Sequence, residues 1–306
     1  MQRQPVDVLV LDIETPVMDG LTALPLLMRA APRLRVLMAS TLTTRGAEVT
    51  LQALRLGAAD YVAKPSAVAG QNAELFRREL LDKVRAFAPR RPHPANARSA
   101  NHATPAMPRP APVASPRLLA IGNSTGGPQA LLALFAALGR AVPVPVVLTQ
   151  HMPAAFTPIL AQHITRTGGP PCAEAIHGEL LLPGRIYLAP GDRHLLVERD
   201  AAGARALLST APAVNFCRPS VDPMLESAAA AFGGRVLVVM LTGMGSDGLA
   251  GTRRVIEAGG ATIAQDEASS VVWGMPGAIV QAGLCHAVLP LGAIAPRLRD
   301  VLRIAP

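Results

Sequence analysis

Residues 118–128 read Leu-Leu-Ala-Ile-Gly-Asn-Ser-Thr-Gly-Gly-Pro. A short apolar run of strand length gives way to a glycine-rich loop, and Pro128 suits the first turn of a helix. Strand, tight loop and helix form the repeating unit of α/β folds. The pattern continues downstream. Apolar runs predict strands at 118–121, 144–149, 186–189, 235–241 and 261–264. Helical periodicity falls between them at 128–138, 156–165, 221–232, 247–258 and 275–282. This alternation predicts a doubly wound parallel sheet for residues 118–306. Pro190-Gly191-Asp192 is a turn signal and predicts a hairpin within 186–198.

Upstream, residues 89–117 hold eight of the 29 prolines and five arginines, with no Asp or Glu and no apolar periodicity. They read as a semi-extended linker. Residues 1–88 alternate again: strands at 6–11, 35–39 and 61–63, helices at 21–29, 48–56 and 73–87. This predicts a partial flavodoxin-like α/β domain whose strand at 6–11, apolar apart from Asp7, is buried. Three strands are few for such a sheet, and the chain begins inside one of them.

Composition excludes several classes. With 306 residues, 50% apolar and 16% charged, the chain has material for two cores and is not wholly disordered. No apolar run approaches the roughly 18 residues of a membrane span. Asp7 stands where a signal peptide needs apolar residues, so a cytoplasmic setting is expected. Three widely spaced cysteines (Cys172, Cys217, Cys285) fit a reducing compartment and no zinc ribbon. The net charge of +8 falls to +3 once the five linker arginines are set aside. Nine aromatics offer few stacking platforms, so nucleic-acid binding is not expected.

Three loops after predicted strands carry reactive groups. Ser124 lies at a helix start, where unpaired backbone N–H groups can receive an oxyanion. Alone, such a loop equally binds phosphate, or Ser124 merely caps the helix. His151 follows the strand at 144–149, and alone it is a packed strand-end histidine. Asp247 lies in Thr242-Gly243-Met244-Gly245-Ser246-Asp247-Gly248, and alone it is a helix N-cap. Together they supply a nucleophile, a base and an orienting carboxylate at strand ends that converge on one crevice. The chain order Ser–His–Asp separates this set from the α/β-hydrolases, which run Ser–Asp–His.

Residues 118–300 closely resemble the catalytic domain of the chemotaxis receptor protein-glutamate methylesterases (CheB-type). The shared strings include Ile121 to Pro128, Thr149 to Pro153, Ala189-Pro190-Gly191-Asp192 with His194, Arg218-Pro219-Ser220-Val221-Asp222, Leu241 to Gly248 and Gly274-Met275-Pro276. The resemblance implies Ser124 as nucleophile, His151 as general base and Asp247 as orienting carboxylate. It places the oxyanion on the N–H groups of Met244 and Thr125. It also implies hydrolysis of glutamate γ-methyl esters and deamidation of glutamine on chemoreceptor helices, with no cofactor for hydrolysis. His194 is expected either to line the cleft or to lie on a hairpin surface.

Leu11-Asp12-Ile13-Glu14 through Asp19-Gly20 resembles the phosphoacceptor loop of response-regulator receivers. Asp12 would be the acceptor, Ser40 and Lys64 the hydroxyl and lysine of the switch, and the chemotaxis histidine kinase the phosphate donor. The resemblance implies that the receiver covers the catalytic site and that phosphorylation relieves this. A receiver of this family begins further upstream, with an acidic pair that helps hold Mg²⁺. A start upstream of Met1 is therefore expected, with Mg²⁺ supporting phosphorylation if that segment is present. Two other functions stay open at this level: a non-enzymatic receptor adaptor, and a methylesterase of a chemosensory pathway that does not control motility.

Overall fold

A computed structural model describes residues 6–41, 43–64, 71–88 and 115–304. The chain divides into two units, residues 1–102 and 103–306, a division inside the stretch expected to be linker. Most of that stretch (89–114) lies outside the described residues.

In the first unit, β1 (Val8–Asp12), β2 (Arg35–Ser40) and β3 (Asp60–Ala63) form a parallel sheet in the order β1-β2-β3. Between and after them come α1 (Gly20–Ala30), α2 (Thr44–Arg55) and α3 (Gln71–Phe87). Asp19 caps α1 by accepting from the Thr22 amide at 2.7 Å, and Thr43 caps α2 from Gly46 at 3.0 Å. β2 is buried along nearly its whole length. β1 differs from the buried strand expected: among the described residues it pairs with β2 alone and is half-buried, with Val10 44% exposed. An apolar run cannot show how many neighbours its strand will have.

β3 is tied to α3 by a buried ion pair. Lys83 Nζ lies 2.9 Å from both Asp60 and Glu79 and donates to the Tyr61 carbonyl at 2.6 Å. Burial disfavours both charges and pushes the Asp60 carboxyl upward. The two carboxylates nonetheless hold the Lys83 ammonium above its ordinary pKa.

The second unit is a seven-stranded, all-parallel sheet in the order β12-β11-β10-β4-β5-β7-β6. Its strands are β4 (Leu118–Asn123), β5 (Val146–Gln150), β6 (Cys172–Glu174), β7 (Ile186–Leu188), β10 (Val236–Met240), β11 (Ala261–Gln265) and β12 (Ala287–Leu289). Helices α4 (Gly127–Leu138), α5 (Thr157–Arg166) and α9 (Leu291–Leu302) pack together on one face. Helices α6 (Val221–Phe232), α7 (Leu249–Glu257) and α8 (Met275–Gln281) cover the other. The four central strands β5, β4, β10 and β11 are buried on both faces, which is why they read as unbroken apolar runs. The edge strands β6 and β12 are three residues each and are not among the predicted strands.

The hairpin lies elsewhere than predicted. It is β8 (His194–Asp200) with β9 (Gly203–Ser209), turning at residues 201–202. Pro190-Gly191-Asp192 instead carries the chain out of β7. A Cβ on Gly191 would collide with the Ala154 backbone, so the glycine there permits close approach of two loops.

Replacing Lys83 by Met should destabilise the first unit by about 3–5 kcal/mol, because Asp60 is left buried and unpaired. Urea unfolding of the variant checks this, and a loss below about 1 kcal/mol would show the pair to be inessential.

Candidate active site

The strand order brings the three reactive loops side by side. β4 is the middle strand of β10-β4-β5, and the sheet reverses its winding there, where open α/β sheets form their crevice. Ser124 follows β4, His151 follows β5, and the loop to Asp247 follows β10. Backbone bonds lock them together: His151 N–H donates to Asn123 O at 3.3 Å, and Ser124 N–H donates to Thr242 O at 3.1 Å. Gln150 Nε2 donates to the carbonyls of Ser124 and His151 at 3.0 and 3.1 Å, fixing the two loops to each other.

His151 Nε2 lies 2.7 Å from Asp247 Oδ2, with Asp247 buried and the His151 side chain 12% exposed. Asp247 does not cap its own helix, contrary to the simplest local role: Gly248 is the N-cap of α7. Asp247 reaches instead into the N-terminus of α6. It accepts from the Val221 amide (2.7 Å), the Asp222 amide (3.2 Å), Ser220 Oγ (2.7 Å), Asn215 Nδ2 (2.9 Å) and the Gly248 amide (3.0 Å). Burial opposes its charge, but these donors and the imidazole hold the carboxyl well below the usual carboxylate range. Asp222 behind it behaves oppositely. Burial and the Asp247 charge push it up, although it accepts from Gly251 N–H and Asn215 Nδ2 at 2.7 and 2.8 Å.

Burial opposes protonation of His151, but Asp247, aided by the Cys217 sulfur, pushes its pKa up to about 9. With Nε2 committed to Asp247, Nδ1 is the nitrogen left to take a proton from Ser124. Among the described residues no hydrogen bond joins Ser124 Oγ to the ring. Nδ1 lies 3.4 Å from Cys217 Sγ instead. The Thr125 and Met244 amides have no intramolecular hydrogen-bond partner among the described residues. Oxyanion donors need such free N–H groups.

His194 is neither a cleft-lining nor a surface residue. It is buried in β8, accepts from the Ser220 amide at 3.2 Å and meets the Pro212 carbonyl at 3.1 Å. It pins the segment from which Ser220 and the α6 N-terminus serve Asp247. The sequence reading missed Asn215, Ser220 as a ligand of Asp247, and Cys217. The Arg218 to Asp222 string was a signal for the second of these.

In the first unit, Asp12, Ser40 and Lys64 line one cavity of about 320 Å³, with Glu14, Thr41 and Arg45. Lys64 Nζ donates to Asp12 Oδ2 at 2.6 Å, and Glu14 N–H to Oδ1 at 3.1 Å. Burial resists the Asp12 charge, but these donors keep its pKa below the ordinary value. Ser40 Oγ turns into the protein, bonded by Thr50 Oγ1 at 2.6 Å and donating to Gly46 O at 3.2 Å. Among the described residues no three His, Cys, Asp or Glu side chains gather as a metal site. Of the carboxylates lining the cavity, Asp12 is already paired with Lys64 and Asp19 caps α1, which leaves Glu14, fewer oxygens than Mg²⁺ demands.

Comparison with known proteins decides the family. The CheB methylesterase model matches residues 119–298, and the response regulator receiver domain model matches residues 1–72. The chain belongs to the CheB methylesterase family. It joins a receiver to the methylesterase domain of that family. A protein-glutamate methylesterase/protein-glutamine glutaminase of Azospirillum brasilense is 51% identical, over 98% of this chain and 82% of its own. One of Rhodospirillum centenum, from a group 2 operon, is 49% identical over 98% and 83%. The solved Thermotoga maritima CheB methylesterase catalytic domain matches with a TM-score of 0.60 and 37% identity. That match covers 61% of this chain and all of that one.

Gly243 leaves no room for a side chain. A Cβ on Gly243 would lie 3.0 Å from both Cβ and N of Ser124 and would clash with Met275 Sδ. Gly243→Ala should lower kcat about 100-fold by displacing the serine, with the fold retained by circular dichroism. Activity and stability should also respond oppositely to pH. The base works only when neutral, so kcat/KM should rise with pH through about 9. The raised His151 pKa stabilises the fold fully below its unfolded value of about 6.5. That contribution fades as pH rises toward 9. Thermal melting of the parent and His151→Gln across this window checks the second trend, which should vanish in the variant.

Proposed function

We propose that Ser124, His151 and Asp247 carry out the hydrolysis of glutamate γ-methyl esters on chemoreceptors, and the deamidation of glutamine at the same site. The carrying observation is the buried 2.7 Å His151–Asp247 bond beside the serine loop at adjoining strand ends. When the ester is seated, neutral His151 Nδ1 takes the Ser124 proton as Oγ attacks the carbonyl carbon. The developing oxyanion lies against the Thr125 and Met244 amides. His151 returns the proton to the methoxy oxygen, methanol departs, and a γ-glutamyl ester of Ser124 remains. Water then attacks this acyl-enzyme, giving its proton to His151. Ser124 leaves with that proton, and the receptor side chain is released as a carboxylate. A glutamine follows the same path with ammonia as leaving group.

Asp12 is proposed as phosphoacceptor. Its carboxylate is held charged beside Lys64, whose ammonium would pair with the phosphoryl oxygens. The chemotaxis histidine kinase is the proposed donor. Mg²⁺ as the receiver's metal would require ligands beyond the described residues, and no step is assigned to it. No described helix is long and apolar enough to cross a membrane, in keeping with the cytoplasmic setting this function requires.

Methyl-labelled receptor membranes test the assignment. The full chain should release methanol, and Ser124→Ala should lose at least a thousand-fold of that rate. Equal release by the variant would overturn the nucleophile. Unchanged cellular output with Ser124→Ala would favour an adaptor role instead.

A further inference from the structure

Two of the residues that touch the catalytic pair from outside the three loops, Asn215 and Cys217, come from one tight turn. Val214 and Cys217 face each other across two backbone hydrogen bonds, Val214 N–H to Cys217 O at 3.1 Å and Cys217 N–H to Val214 O at 2.9 Å. Between them Asn215 (φ 51°) and Phe216 (φ 63°) are both left-handed. Asparagine accepts this conformation readily, whereas a bulky phenylalanine adopts it only under strain. The strain is over-determined by what the flanking residues do. Asn215 Nδ2 bridges Asp247 Oδ1 (2.9 Å) and Asp222 Oδ2 (2.8 Å). Two residues on, Cys217 Sγ stands 3.4 Å from His151 Nδ1. The turn therefore grips both members of the pair, while Phe216 points to solvent, 87% exposed.

We propose that the Val214–Cys217 turn positions the catalytic pair: Asn215 sets the Asp247 carboxylate, and Cys217 holds the His151 ring through the nitrogen that Ser124 must reach. Asn215 places a donor between two neighbouring carboxylates that would otherwise repel each other. That leaves Oδ2 of Asp247 aimed at Nε2 of the ring. Cys217 acts on the other nitrogen. In the resting enzyme the protonated ring donates to Asp247 and to the sulfur at once, and the sulfur occupies the direction of the nucleophile. The titratable groups facing the ring are Asp247 from the loop before α7 and Cys217 from the turn, with Asp222 of α6 one hydrogen bond further away. Both Asn215 and Cys217 are positioning residues, since each acts through Asp247 or His151 and neither is assigned contact with substrate or with Ser124.

The inference rests on the triad assignment above, and kinetics of the full chain on methyl-labelled receptor membranes separate the two. Asn215→Gly keeps the left-handed backbone and removes the amide. Its kcat should fall about ten-fold, the scale of one hydrogen bond to a charged group, with KM within about two-fold. Cys217→Ala should move the acid limb of kcat/KM to lower pH by about half a unit or more, because an acceptor for the ring proton is gone. Cys217→Ser restores an acceptor and should move the limb back. If Ser124→Ala is inactive while Asn215→Gly keeps parental kcat and Cys217→Ala keeps the parental limb, the positioning role is overturned and the triad stands. Variants that lose only melting temperature, with kcat and pH limb unchanged per folded molecule, would likewise reduce the turn to a structural element. An active Ser124→Ala would overturn the triad itself.

Discussion

The active site depends on one buried charge. Asp247 is withdrawn from water and stays ionised because the first turn of α6 turns its unpaired N–H groups toward it. Ser220, Asn215 and Gly248 supply the rest of its hydrogen bonds. Its remaining capacity faces His151. A carboxylate so held orients the imidazole and raises its proton affinity together, and the two effects cannot be separated. The same residue packs β10 against α6, so catalysis and the seating of that helix share their hydrogen bonds.

The sheet order gives this interaction its setting. Only three adjacent strands, β10, β4 and β5, need to end in the right loops, and β4 lies where the winding reverses. The carboxyl ends of these strands are thereby free of crossing connections and open to a substrate side chain. The backbone bonds between the loops, with Gly243 pressed against Ser124, leave the serine little room to wander. The unit holding Asp12 repeats the logic on a smaller sheet. There Asp12, Ser40 and Lys64 stand at or just after the ends of β1, β2 and β3, and the lysine is already paired with Asp12.

Much of this was legible in the chain. The central strands of the second unit are buried on both faces, so their apolar runs could be read with errors of a residue or two. Pro128 and the glycines marked the loop that opens α4. Ser124, His151 and Asp247 could be grouped because the first two directly follow strands, the third lies in the loop after one, and strand ends converge in a parallel sheet. β6 and β12 were not legible, and the apolar run of β1 does not reveal that, among the described residues, it pairs with β2 alone. The turn at Pro190-Gly191-Asp192 misled because a tight turn serves a loop crossing as well as a hairpin.

The sequence by itself determined the fold class, the two-part organisation and the residue types of the chemistry, since these follow from local periodicity and from what directly follows each strand. Tertiary structure alone decided which atoms meet. Asp247 looked like the cap of its own helix and serves another one, 25 residues upstream. His194 looked like a rim or surface group and is a buried clamp. Asn215 and Cys217 carried no local signal at all. Their roles arise from a turn closed by its own backbone and folded back over His151 and Asp247, and contacts between residues so distant in the chain leave no periodicity to read.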